Sequence, residues 1–126
     1  MKDKNNFKLL IDESKIKREE DTLKLRKKIE KAIIKQLKEK QVYQFAHYQN
    51  LIKDYMKFWD IKNMLQEDIE KRGVSIYWQN SETQYGYKKN DSVSELIKVN
   101  KQMLAVLYDL GIRASDLKVV EEDEEL

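Results

Sequence analysis

Apolar positions recur along most of the chain at the three- and four-residue spacing of helices. No proline or glycine interrupts the segment from about Ser14 to Lys40, and the next segment, Gln41–Lys71, is equally free of breaks. We therefore predict two long helices, the second with the broader apolar face, rich in aromatic residues. The apolar positions are Leu23, Ile29, Ile33, Ile34 and Leu37 in the first helix, and Phe45, Tyr48, Ile52, Tyr55, Met56 and Trp59 in the second.

Helical spacing gives way to alternation after Gly73, which we place just past the end of the second helix. In Val74–Gln79, apolar residues occupy every second position, which is typical of a strand. Thr83–Tyr87 can return as a second strand, with Gly86 as a candidate bulge. The sequence thus predicts a hairpin over residues 74–87, which must pack on a helix or a second copy because isolated hairpins are only marginally stable.

A third helix follows the hairpin. The tetrad Ser92-Val93-Ser94-Glu95 has the form of a capping box and predicts a start at Ser92. Gly111 followed by Ile112 predicts the end, with a hydrophobic contact across the cap. The expected fold is mainly α, with two long helices, a short β-hairpin and a third helix. We expect one helical domain over residues 14–113, an arm over 1–13 that the pattern does not assign, and a tail over 114–126.

Composition makes an ordinary enzyme difficult to build. The chain has no cysteine, so it lacks a thiol nucleophile and a thiolate metal site, and His47 is its only histidine. No glycine-rich phosphate-binding motif or nucleophile elbow occurs. We expect no cofactor and no catalytic residue. No apolar run is long enough to cross a bilayer and no signal peptide is evident, so we expect a soluble, cytoplasmic protein.

Charge is distributed unevenly along the chain. Residues 1–40 contain 14 Lys and Arg against 8 Asp and Glu, whereas the acidic tail, residues 114–126, contains six acidic residues and one lysine. A basic helix face can bind nucleic acid phosphates, although such a face is as often simply solvated. Two lysines at the hairpin could likewise contact a backbone or merely flank a packed hairpin. The candidate DNA-binding residues are Lys24, Arg26, Lys27, Lys28, Lys31, Lys35, Lys38, Lys88 and Lys89.

Several segments between residues 42 and 114 together resemble one known family. They are Leu51-Ile52-Lys53-Asp54-Tyr55-Met56, Trp59-Asp60-Ile61-Lys62, Trp78-Gln79-Asn80, Gly86-Tyr87-Lys88-Lys89-Asn90-Asp91-Ser92-Val93 and Leu110-Gly111-Ile112. This pattern resembles the small terminase subunits of tailed bacteriophages, in the branch found in phages and prophages of Gram-positive bacteria. The resemblance implies a non-catalytic protein that forms a ring and recognises or holds viral double-stranded DNA. It also implies that the protein recruits and regulates a large ATPase-nuclease subunit in the cytoplasm of the bacterial host.

The remaining candidate residues follow from apolar surface and from charge. The apolar helix surface exceeds what one small chain can comfortably bury, which favours contacts between copies. A DNA-binding regulatory protein and a helical adaptor stay open as alternatives. The expected contacts between copies are Tyr48, Ile52, Tyr55, Trp59, Ile76, Trp78 and Tyr85, and the expected contacts to the large subunit are Glu121, Glu122, Asp123, Glu124 and Glu125.

Overall fold

The computed structural model of the chain describes the backbone of residues 2–113 and the side chains of residues 13–113. Three helices and a two-stranded antiparallel hairpin follow one another in the predicted order, which confirms the mainly α fold. The elements are α1 (Lys2–Glu39), α2 (Ala46–Arg72), β1 (Ser75–Gln79), β2 (Tyr85–Lys89) and α3 (Asp91–Leu110).

Helix α1 begins earlier than the apolar pattern indicates, at Lys2 rather than near Ser14. No proline or glycine separates the two positions, so nothing in the backbone opposes a continuous helix. The segment assigned as an arm, residues 1–13, is therefore helical from residue 2 onward and continuous with α1.

The turn between α1 and α2 is longer than predicted, because α2 begins at Ala46 and not at Gln41. Gln41 adopts a left-handed conformation with φ 61°. Its N–H donates to Lys38 O and the N–H of Val42 donates to Leu37 O, the two bonds of a Schellman cap. A glutamine replaces the usual glycine, which is why the sequence carries no obvious stop signal here.

The core lies where α2 packs against both other helices, more extensively against α3 than against α1. Ile33 and Leu37 of α1 are completely buried, and Trp59 of α2 is 7% exposed. Burying each such side chain contributes about 1.5–3 kcal/mol to folding. The other members of the buried cluster are Ile52, Tyr55, Met56, Met103, Leu107, Leu110 and Ile112.

The end of α3 is fixed beside the end of α1. Gly111 is left-handed with φ 72°, and the N–H of Ile112 donates to Leu107 O at 3.0 Å. Ile112 and Leu107 are both buried, which confirms the predicted stop and its hydrophobic contact. Lys40, just beyond α1, donates from Nζ to the carbonyl oxygen of Gly111.

The hairpin is regular, and the predicted bulge at Gly86 is wrong. Trp78 pairs directly with Gly86, and Tyr77 pairs with Tyr87, in an unbroken antiparallel register. A Cβ at position 86 would lie 3.5 Å from the indole Nε1 of Trp78. This is an ordinary van der Waals distance, so the indole lies directly against position 86, and Gly86 inserts no extra residue into the strand.

Four polar side chains, which we call the junction network, join α2, the hairpin and α3: Asp68, Arg72, Asn90 and Ser92. Asn90 is 2% exposed; its amide donates to Gly73 O at 2.9 Å and to Asp68 Oδ2 at 3.2 Å. Ser92 Oγ donates to Asp68 Oδ2 at 2.6 Å, and Arg72 donates to both Asp68 oxygens at 2.6 and 2.7 Å. The bonds from Arg72, then Ser92 and Asn90, hold the pKa of Asp68 well below its usual range, so the carboxylate is charged at neutral pH.

The predicted capping box at the start of α3 is wrong by two residues. Asn90 is the N-cap, and its side-chain oxygen accepts from the N–H of Ser92 at 3.0 Å. Glu95 does not reach back to a cap; it pairs with Lys98 at 3.2 Å. Asn90 prevails because its carboxamide caps the helix and donates to the hairpin base at the same time, whereas a serine hydroxyl has one proton to donate.

We predict that Asn90→Ala lowers the free energy of unfolding by about 2–4 kcal/mol, because it removes the N-cap and leaves buried partners unsatisfied. Urea titration followed by circular dichroism at a fixed protein concentration measures the change. Asn80→Ala, in the exposed hairpin turn, is the matched control and should change stability by less than about 0.5 kcal/mol. Equal losses in the two variants would contradict the role of the junction network.

Candidate nucleic-acid interface and assembly surfaces

The six lysines predicted to contact DNA in the first helix lie on one side of α1. At 100° per residue they fall within about 100° of the helix circumference, opposite Ile33 and Leu37, which face the core. The face extends over about 21 Å of the helix axis at 1.5 Å per residue. All six are exposed; we call them the lysine face: Lys24, Lys27, Lys28, Lys31, Lys35 and Lys38.

Within the residues whose side chains are described, no member of the lysine face forms an ion pair. Glu30 is the only acidic residue between Lys24 and Lys38, and it pairs with Arg26 at 3.3 Å. Lys38 lies over the ring of Tyr43, with Nζ 5.2 Å from the centroid, which leaves its charge intact. Such a row of unneutralised ammonium groups attracts polyanions.

Arg26 has a different role from its lysine neighbours. Its guanidinium donates to both carboxylate oxygens of Asp60 on α2, from Nε at 2.8 Å and from Nη2 at 3.1 Å. The hydrogen bond to Asp60 raises the pKa of Arg26, opposed by partial desolvation. Arg26 thus ties α1 to α2, and its charge is already shared between two carboxylates.

The hairpin lysines lie apart from the lysine face. Arg26 meets Asp60 near the middle of α2, and a surface groove joins Lys15 and Arg18 of α1 to Lys71 at the end of α2, so the two helices run antiparallel. The hairpin leaves from that end of α2. Lys88 and Lys89, both exposed in β2, are therefore remote from the later residues of the lysine face.

Three of the seven residues expected between copies are buried within a single copy. Ile52, Tyr55 and Trp59 belong to the intrachain core, each less than 9% exposed. The others lie closer to the surface: Tyr48, Ile76 and Trp78 are half-buried and Tyr85 is exposed. The sequence pattern identifies the apolar stripe of α2 but does not show that α1 and α3 of the same chain cover it.

Helix α3 carries a row of exposed apolar side chains that the sequence does not predict to be exposed. Ile97 is 65% exposed, Leu104 66% and Tyr108 84%, and half-buried Val93 extends the same side of the helix. We call these four residues the α3 stripe. In the sequence, the α3 stripe could be detected only as an apolar helix face that is wider than packing against one neighbouring helix requires. The spacing alone does not show which of these apolar residues are buried within one copy and which are exposed.

The α3 stripe continues into a groove at the base of the hairpin. The groove, of about 480 Å³, is lined by Val74, Ser75 and Lys89 of the hairpin region and by Val93 and Ile97 of the α3 stripe. Apolar side chains from the hairpin region and from α3 thus line the same groove, and exposed apolar clusters of this kind are typical of sites for protein contacts.

The hairpin carries an aromatic surface of its own. Tyr77, Tyr85 and Tyr87 lie on one side of the two-stranded sheet, and all three are exposed. The rings of Tyr77 and Tyr87 meet edge to face with centroids 5.5 Å apart. We call these three residues the tyrosine face; the opposite side of the sheet carries Ile76 and Trp78.

Candidate groups for metal or acid-base chemistry are sparse in the part of the chain with described side chains. No cluster of three His, Asp or Glu residues that could hold a metal ion occurs there. His47 is exposed and meets the ring of Tyr48 edge to face, with centroids 6.1 Å apart. Among the described helices, none combines the length and apolarity needed to span a membrane.

Comparison with known proteins identifies a family for the chain. The family model for the phage terminase small subunit matches residues 27–125, which include the last third of α1 and every later element. Neither a search of curated proteins nor a search of solved structures finds a significant match.

We predict that Arg26→Gln lowers the free energy of unfolding by about 1 kcal/mol, because it breaks a bidentate pair between α1 and α2 that is partly shielded from water. Lys27→Gln, which removes the same charge from the next residue, should leave stability nearly unchanged. Thermal unfolding of both variants at equal concentration compares them. A Lys27→Gln variant as unstable as Arg26→Gln would contradict the distinction.

Proposed function

The chain belongs to the phage terminase small subunit family, and we propose that it binds viral double-stranded DNA, assembles into a ring and recruits the large ATPase-nuclease subunit. In this proposal it acts in the cytoplasm of the bacterial host and contributes no catalytic residue. The lysine face is the observation that carries the DNA-binding part of the proposal, since nothing described in the chain neutralises it.

The chemistry of the lysine face fits the DNA backbone. Duplex DNA carries one negative charge per about 1.7 Å of axis, so a 21 Å face lies alongside about twelve phosphates. Six ammonium groups can neutralise a substantial part of that charge and release condensed counterions. Lysines on phosphates position a protein without reading base sequence, so we propose that this face holds DNA.

The surfaces for assembly are proposed to be the α3 stripe and the tyrosine face. They lie on different elements, α3 and the hairpin, and both expose large apolar side chains. A contact between two different surfaces of identical chains is heterologous, and it generates a closed ring when the rotation between copies closes. The junction network supports this arrangement because it fixes the hairpin relative to α3.

The predicted contact with the large subunit, Glu121–Glu125, lies outside the described residues. The proposal for it rests on sequence alone: a block of five consecutive carboxylates suits a basic partner surface. We also propose, as a secondary DNA contact, Lys88 and Lys89. They lie on the hairpin, away from the lysine face.

We predict that replacing Lys27, Lys28 and Lys31 together with glutamine weakens binding to a nonspecific duplex at least ten-fold in 50 mM salt. Removing three phosphate contacts should also reduce the slope of log affinity against log salt by about 2.7. Fluorescence anisotropy with a labelled duplex over a salt series measures both quantities.

The matched control replaces Lys71, Lys98 and Lys101, three exposed lysines of α2 and α3 that lie away from the lysine face, with glutamine. Because its net charge equals that of the test variant, it isolates position from charge. Equal losses in the two triple variants, or no duplex binding by the unmodified chain, would overturn the assignment of the lysine face.

We predict that Leu104→Glu reduces the oligomer mass measured by light scattering, because it places a charge in the middle of the α3 stripe. Leu104 is largely exposed in one copy, so the fold should survive, and the helical circular dichroism signal checks this. Ala105→Glu adds the same charge at the next, exposed position of α3 and should leave the mass unchanged. An unchanged mass in Leu104→Glu would exclude the stripe as an assembly surface.

A further inference from the structure

We infer that the acidic tail binds the lysine face of its own chain and competes there with DNA. This inference rests on the proposed function, because the competitor matters only if the lysine face binds DNA. It adds a regulatory step: the DNA-binding surface is occupied until a stronger polyanion, or a partner that binds the tail, displaces the tail.

The last described residues lie near the carboxyl end of α1. Lys40 donates to the carbonyl oxygen of Gly111, and Ile112 belongs to the same buried cluster as Leu37. The acidic tail therefore leaves the fold next to the carboxyl end of α1, and Lys38 is only two residues from Lys40. The tail therefore begins near the Lys38 end of the lysine face.

The tail is long enough to reach the whole lysine face. Glu121 follows Arg113 by eight residues, which span at most about 26–29 Å at 3.3–3.6 Å per residue. The distance along α1 from Lys40 back to Lys24 is about 24 Å at 1.5 Å per residue. Carboxylates from the block Glu121–Glu125 can thus lie against any member of the face.

The charges match in number as well as in sign. The tail has six acidic residues, Asp116 and the block Glu121–Glu125, and the lysine face has six unpaired ammonium groups. Lys118 is the one basic residue of the tail, so its net charge is −5. The lysine face therefore offers an unpaired ammonium group for each carboxylate of the tail.

Tethering makes a weak contact effective. A segment joined to its binding surface acts at an effective concentration on the order of millimolar. Its contact with exposed lysines is screened by salt, with a Debye length of about 10 Å at 0.1 M. The competition should therefore be strong at low ionic strength and should disappear at high ionic strength, and binding of the tail by the large subunit would free the lysine face.

The first experiment detects the contact without DNA. Zero-length carbodiimide cross-linking of the full chain, followed by mass spectrometry, should join tail carboxylates to members of the lysine face. Lys71, Lys98 and Lys101 are internal controls and should give few cross-links. Cross-links distributed evenly over all lysines would overturn the inference. Mixing isotope-labelled and unlabelled chains tests the same-chain assignment, which mixed-isotope cross-links would contradict.

The second experiment measures the competition. Replacing Glu121, Glu122, Asp123, Glu124 and Glu125 with their amides should strengthen binding to a nonspecific duplex about ten-fold in 50 mM salt and much less in 300 mM salt. The matched control makes five equal neutralisations at exposed positions on α2, the hairpin and α3: Glu67→Gln, Glu70→Gln, Glu82→Gln, Glu95→Gln and Asp109→Asn. An equal gain in the control would show a net-charge effect and overturn the competition.

The two experiments separate failure of this inference from failure of the proposed function. Specific cross-links with no duplex binding by any variant would reject DNA binding and leave the tail contact established. Duplex binding that is unchanged by tail neutralisation, without specific cross-links, would reject the tail contact and leave DNA binding established.

Discussion

The arrangement of the hairpin and α3 depends on the hydrogen bonds of the Asn90 side chain. One buried carboxamide caps α3, donates to the backbone at the end of α2 and contacts the carboxylate of Asp68. Since an unpaired buried amide costs 1–3 kcal/mol, the three elements are stable only in the geometry that satisfies it. The tyrosine face and the α3 stripe consequently keep a fixed relation to each other, which any regular assembly of copies requires.

Helix α1 separates structural and electrostatic roles between its two sides. On one side, Ile33, Leu37 and the Arg26–Asp60 pair attach the helix to the bundle. On the other side, lysines occupy successive turns and form no ion pair with the described acidic residues. Because the cations lie away from the core, they incur little desolvation cost and remain available, and they can be changed without loss of packing.

The sequence correctly predicts helices and strands where the spacing of apolar residues or a glycine marks them. It fails where the hydrogen bonds of polar side chains determine where a helix begins. The order of helices and hairpin, the stop at Gly111 and the common side of the lysines could all be predicted. The turn at Gln41 could not, because a non-glycine residue adopts the left-handed conformation there. The N-cap at Asn90 could not be predicted either, because the Asn90 side chain is also held by Asp68, which is distant in sequence. Nor could the spacing of apolar residues show which of them are exposed on the surface of a single copy.

The two tryptophans of the chain lie in two different environments. Trp59 is in the core between the helices, whereas Trp78 is half-buried on the hairpin, with its indole against Gly86. Indole emission depends on exposure to water, so the two tryptophans report on separate parts of the molecule. With Trp59 replaced by phenylalanine, the remaining tryptophan emission would follow the surroundings of the hairpin alone, without an attached dye.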